Sequence, residues 1–206
     1  MIITRVAAAL ALLLALGACA VDPVYDPIEE VQRAAYVSDG PASLTLYTVL
    51  RNKDDSGAHS GLLIDGPQRV LFDPAGSFKL PFVPERGDVL YGFSPRVEKV
   101  YVDFHARETF RVVKQTIQVS PEVAARALRL AESYGSVPPA QCSRSITKIL
   151  QQIPGFEDMP VRWFPQRTAR DFGERPGVTT EVIRDTDADG NHGVLIRAAQ
   201  RGPDGI

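Results

Sequence analysis

Cysteine is nearly absent from this chain: its 206 residues include two, Cys19 and Cys142. Histidine is scarce as well, with only His59, His105 and His192. A zinc centre takes four Cys, His or carboxylate ligands at characteristic spacing. His59, Asp73 and Cys142 have the right ligand chemistry, but no second histidine or cysteine stands at metal-site spacing, so no metal or cofactor is expected. The chain also lacks a long hydrophobic run. The apolar stretch at residues 6–16 falls well short of the roughly 20 residues needed to cross a bilayer as a helix. Neither sign of charge dominates, with 23 Lys and Arg against 25 Asp and Glu. Nothing in that balance recruits nucleic acid or an anionic surface. Internal repeats and low-complexity blocks are missing too.

What is present begins at the N-terminus. Residues 1–18, MIITRVAAALALLLALGA, place Arg5 before the apolar run and small residues before Cys19. This is the layout of a secretory signal peptide with its cleavage site. The local sequence LGAC resembles the bacterial lipobox, which implies that Cys19 is lipid-modified and that several acyl chains anchor the protein stably to a membrane. Ala20, rather than Asp, follows the cysteine, and in that family's sorting pattern this points to the outer membrane, facing the periplasm. Cleavage removes Arg5 and no acid, leaving 188 residues with 22 basic and 25 acidic side chains, a formal charge of −3. That length suits one well-buried domain. With Cys19 lipidated, Cys142 is the remaining thiol and has no partner for an internal disulfide, an arrangement outside the cytoplasm that marks it as a candidate reactive group.

Residues 19–42 carry prolines 23, 27 and 41 and no sustained period, which predicts a lipid-anchored tether with a short helical stretch at 28–35. A domain over 43–200 and a tail at 201–206 follow. Segments 44–51, 60–64, 70–72, 97–104 and 109–119 are rich in β-branched and aromatic residues and read as strands. Residues 121–134 read as a helix, with Ser120 as cap and Pro121 in first position. A second helix is expected over 142–153, stopped by Pro154-Gly155, and a shorter one over 165–172. Late strands at 178–184 and 193–199 complete an α+β domain.

Three residues carry the chemistry. His59 opens the strand segment SGLLI, and QRVLFD returns after the turn Asp65-Gly66-Pro67. A hairpin centred on Gly66 pairs Leu62 with Val70, Ser60 with Phe72, and His59 with Asp73. Directly opposed side chains lie about 4.5–5.5 Å apart on one face, close enough for a carboxylate to hold an imidazole in one tautomer and stabilise its charged form. Gly61 shares that face and leaves room for another element to approach. Cys142 lies one turn before Ile146 on the apolar stripe Ile146, Ile149, Leu150 and Ile153, so its thiol is expected to face the sheet and to supply that element. A position in the first helical turn favours the thiolate, and a nearby imidazole completes an activated nucleophile.

The succession GAHSGLLIDG, VLFDPAGSF and QCSRSITKIL resembles the circularly permuted branch of the NlpC-type papain-like superfamily, which includes lecithin:retinol acyltransferase and a group of bacterial envelope lipoproteins. The resemblance spans roughly residues 43–198 and is carried by these three stretches. It implies a papain-like antiparallel sheet packed against a helix that carries the nucleophile. Cys142 would then be the nucleophile, His59 the base and later the acid, and Asp73 the orienting group. Many relatives have histidine, asparagine or glutamate in the third role. The expected activity is hydrolysis or acyl transfer at an amide, ester or acyl bond of an envelope substrate: a peptidoglycan peptide, a lipid or a protein. A non-catalytic envelope lipoprotein using the same fold for binding or structure is the alternative. His105, near Asp103 and Glu108 on or just after a strand, is the rival base. Asp185, Asp187, Asp189 and Gly190, beside His192, match the start of a calcium loop, but Ile196 stands where the bidentate glutamate belongs, so a polar turn is expected there.

Overall fold

The computed structural model describes residues 23–206. The expected signal peptide and the expected lipidation site at Cys19 lie outside the described residues. Helix α1 (Ile28–Ala34) precedes strands β1 (Ser43–Arg51), β2 (Gly57–Asp65), β3 (Arg69–Phe72), β4 (Glu85–Arg86) and β5 (Val89–Leu90). Next come α2 (Pro95–His105), β6 (Phe110–Gln118), α3 (Pro121–Tyr134), α4 (Cys142–Leu150), α5 (Pro165–Gly173), β7 (Thr179–Ile183) and α6 (Asn191–Arg201). The strands form one seven-stranded antiparallel sheet in the order β4-β5-β3-β2-β1-β6-β7. The architecture is therefore α+β, as the sequence predicts. No described helix is long and apolar enough to cross a membrane.

Central strand β1 explains the layering. Its residues from Leu44 to Leu50 are all buried, so helices must cover both faces of the sheet. Leu44, Leu46, Leu62, Ile64 and Phe72 share one core with Ala127, Leu128 and Ala131 of α3, Ile146, Ile149 and Leu150 of α4, and Phe172 of α5. Tyr47, Leu63, Leu71 and Val112 pack on the opposite face with Val97, Tyr101 and Phe104 of α2 and with Val194 and Ala198 of α6.

Two segments expected as strands are helices. Residues 97–104 belong to α2, where the Ser94 hydroxyl accepts from the Val97 N–H and Pro95 occupies the first turn. Its buried residues Val97, Tyr101, Phe104 and His105 follow helical spacing, and that burial outweighs the strand preference of its valines and aromatics. Residues 193–199 belong to α6, which buries Val194 and Ala198 four apart. The β2–β3 hairpin also has a different register: Leu62 faces Phe72, and Asp65 faces Arg69 around a three-residue loop. Asp73 is thereby displaced by two positions, which keeps it on the expected face and sets it beside Gly61 rather than directly opposite His59.

Part of the expected tether is docked on the domain. Gly87 N–H donates to Val24 O (2.9 Å), Asp26 N–H to Glu85 O (2.9 Å) and Arg69 N–H to Tyr36 O (2.8 Å), while Val31 of α1 joins the core. Backbone pairing to β4 and one buried apolar side chain hold this stretch in place. The tail is anchored as well, through Ile206 against the α2–α6 core and Arg96 Nη1 donating to Asp204 O (3.0 Å).

Gly61 does admit a close neighbour, but that neighbour is α2. A Cβ at Gly61 would stand 2.7 Å from Tyr101 Oη and 3.3 Å from Asp73 Oδ1. Gly61→Ala is expected to cost about 1–3 kcal/mol by overpacking. Placed on a Tyr101→Phe background, which removes the clashing oxygen, the same change should cost less, so denaturant unfolding of both singles and the double should be non-additive.

Candidate active site

β3 ends at Phe72, opposite Leu62, so among the described residues the first half of β2 has no paired strand on that side while β1 continues along the other. His59 and Ser60 lie on this open stretch. α4 starts against it, and the backbone amides of Ser60 and Ser143 both act to lower the Cys142 thiol. Ser60 Oγ and Ser143 Oγ, 3.2 Å apart, fasten the strand to the helix beside the thiol. Gln141 makes no side-chain cap, so the helix presents its first N–H groups to the site.

His59 Nε2 lies 2.7 Å from Asp73 Oδ1, with the His59 side chain 14% exposed and that of Asp73 3%. Nε2 is thereby committed to the carboxylate, and Nδ1 is the nitrogen left for the thiol. The structure thus brings together all three residues singled out from the sequence. Tyr101 Oη donates to the same carboxylate oxygen at 3.0 Å. Sequence reasoning missed this fourth member because segment 97–104 was expected to be a strand. The spacing of Val97, Tyr101, Phe104 and His105, together with the Ser94-Pro95 start, was the available signal.

The loop after β3 aims Asp73. Its N–H donates to Asp88 O (2.8 Å), and its carbonyl accepts from Gly76 N–H (2.9 Å). Asp88 Oδ2 accepts from the N–H groups of Ala75 and Val137, each at 2.9 Å. Ala75 (φ 55°) and Asp88 (φ 64°) both adopt left-handed backbone, an uncommon conformation stabilised here by those bonds. Gly76 must lack a side chain because a Cβ there would overlap Asp73 Oδ2.

Burial alone would push the His59 imidazole down, but the Asp73 carboxylate beside it and the hydrogen-bonded Cys142 bring it up to about 10. Burial likewise opposes ionisation of Asp73, yet the charge and hydrogen bond of His59 hold its carboxyl below the usual range. For Cys142, burial raises the thiol, while the hydrogen bond and charge of His59 outweigh that effect and lower it. All three directions describe one state, a thiolate–imidazolium pair braced by a carboxylate.

His105 is the last residue of α2 rather than part of a strand, and it stacks in parallel on His59 with ring centroids 5.6 Å apart. Its Nδ1 bonds to Tyr101 O at 2.9 Å. Burial and the neighbouring His59 charge depress it to about 4, so it is neutral at pH 7. It packs against the base. His192 is exposed on α6. In the acidic turn before it, Asp187 pairs with Arg107 (3.1 Å), which also pairs with Asp103 of α2 (2.7 Å), and Asp189 accepts from Thr109 N–H (3.3 Å). These carboxylates pin the turn to the end of α2.

Iodoacetamide alkylation of Cys142, followed against pH, should have its midpoint below the ordinary thiol value of about 8.5. The thiolate persists as pH falls until the lowered value is crossed. His59→Ala removes the hydrogen bond and charge that do most to lower the thiol and leaves only the Ser60 and Ser143 backbone amides against burial, so the midpoint should rise from its wild-type position. A wild-type midpoint at or above about 8.5 would contradict the ion pair.

No family model matches the chain, and comparison with curated proteins and with solved structures finds no match.

Proposed function

We propose that this protein is a membrane-anchored lipoprotein of the cell envelope, with a permuted papain-like domain that acts as a cysteine hydrolase or acyltransferase. The observation that carries this reading is the placement of His59, with Asp73 on one side and a helix-start thiol on the other. The chain order His, Asp, Cys is that of the permuted arrangement. Cys142 Sγ attacks the carbonyl carbon of an amide, ester or acyl bond, and the carbonyl electron pair moves to oxygen. Backbone N–H groups at the start of α4 stabilise that oxyanion. Collapse expels the leaving group, which takes its proton from the His59 imidazolium and leaves an acyl thioester on Cys142. His59, now neutral, removes a proton from water or from an acceptor nucleophile, whose attack on the thioester releases the acyl group, expels the Cys142 thiolate and restores the thiolate–imidazolium pair. Asp73 stabilises the imidazolium of the resting pair and again when deacylation re-forms it.

Low exposure favours a second reading: Cys142 is 7% accessible. A non-catalytic module with the same fold would keep such a thiol closed to reagents. Labelling with a panel of acyl electrophiles separates the two readings and reports substrate class. His59→Ala should abolish nearly all labelling of Cys142, and His105→Ala should leave most of it. Asp73→Asn keeps the shape but loses the counter-charge, and an intermediate loss on the order of ten- to a thousandfold is expected. A wild-type thiol inert to the whole panel would favour the non-catalytic module.

The lipid anchor has its own test. A palmitate analogue fed to cells should mark the full-length protein, and Cys19→Ser should abolish the mark without unfolding the domain. Label that persists on Cys19→Ser would remove the lipoprotein reading.

A further inference from the structure

One surface beside the site has chemistry that the triad does not use. Trp163 and Phe164, consecutive and 53% and 56% exposed, each carry a guanidinium over the ring. Arg144 Cζ is 5.1 Å from the Trp163 ring centroid, and Arg167 Cζ is 5.8 Å from that of Phe164. Arg144 stands in the first turn of α4, two residues after Cys142. On the other side, Gly57 N–H donates to Gln166 Oε1 at 3.1 Å, two residues before His59. Residues 163–166 therefore flank both the thiol helix and the imidazole strand.

Neither guanidinium is spent on a carboxylate among the described residues. Arg144 Nη1 donates to the neutral Gln141 Oε1 at 3.0 Å. The acids nearest in sequence are engaged elsewhere, Asp158 with Arg175 at 2.8 Å and Asp171 with Arg162 at 2.5 Å. A guanidinium stacked on an aromatic face keeps its N–H edge free in a fixed plane, the geometry that grips a carboxylate or phosphate with two parallel hydrogen bonds. The start of α5, which has no side-chain cap, adds positive potential in the same place.

We infer that the Arg144–Trp163 and Arg167–Phe164 pairs form a subsite for an oxyanion group attached to an apolar chain, and that the substrate of Cys142 carries a carboxylate or phosphate close to its scissile bond. The second half of this statement rests on the catalytic reading above, whereas the anion site can be tested without it.

Trp163 is the only tryptophan in the chain, so its emission reports on the platform directly. The folded domain, as wild type and as Cys142→Ala, is titrated at low salt with hexanoate, hexyl phosphate and hexanamide. Saturable changes are expected with one or both anions in both proteins, and little with the neutral amide. The relative affinity of the two anions tells a carboxylate-bearing substrate from a phosphate-bearing one. Arg144→Gln and Arg167→Gln should each weaken anion binding by about three- to tenfold, and Arg144→Lys should recover only part of the loss. Circular dichroism of each variant checks that the fold is kept. An equal response to hexanamide, or arginine variants that bind as wild type does, overturns the subsite. Anion binding that persists beside a thiol inert to alkylation would instead overturn the catalytic reading and leave the anion site standing.

Discussion

Burying the Asp73 carboxylate, on a side chain only 3% exposed, is the constraint that organises this end of the molecule. An ion taken out of water costs several kcal/mol unless it is paired and hydrogen-bonded. The surroundings satisfy that demand from three sides. His59 and Tyr101 both bond Oδ1, Gly61 lets the tyrosine reach it, and Gly76 leaves space for Oδ2. The strained loop at Ala75 and Asp88 fixes the direction from which the carboxylate enters. The imidazolium that neutralises Asp73 is the same group that lowers the Cys142 thiol, so folding and thiol activation draw on a single electrostatic arrangement.

The β-strand period explains why so much of this was legible in the sequence. Side chains alternate with period two, so a register displaced by two residues leaves every residue on its proper face. The pairing of His59 with Asp73 could be read from the alternation of SGLLI and VLFD even though the hairpin loop is longer than the simplest turn. Cys142 was equally legible, because the stripe of Ile146, Ile149 and Leu150 determines which way the helix faces. Tyr101 and the stacking of His105 were not. Both depend on α2 being a helix, and its Val, Tyr and Phe content carries a local strand preference that burial of one face overrides. α6 was obscured in the same way, since a helix of eleven residues with two buried positions has little periodic signal.

The sheet's asymmetry divides labour between its faces. α4 lies with α3 and α5 over one face, while His59, Asp73 and Tyr101 belong to the face covered by α2. Thiol and imidazole can meet only where β3 stops short and leaves the edge of β2 open. A longer β3 would close that edge, and the early departure of the chain at Asp73 therefore serves both the acid's position and the thiol's access.

The docked segment before α1 sets how far the domain can travel. Val24 is fixed to Gly87, and Cys19 lies five residues upstream. Fully extended, that stretch spans about 17 Å. With the proposed lipid on Cys19, Gly87 is leashed within that radius of the headgroups, a much shorter excursion than a free linker running to residue 42 would allow. Gly87 adjoins Asp88, whose carbonyl receives the Asp73 amide, so the acid of the site sits close to the fixed end of the leash. A protein so leashed would meet its substrates at the leaflet surface and not at a distance from it.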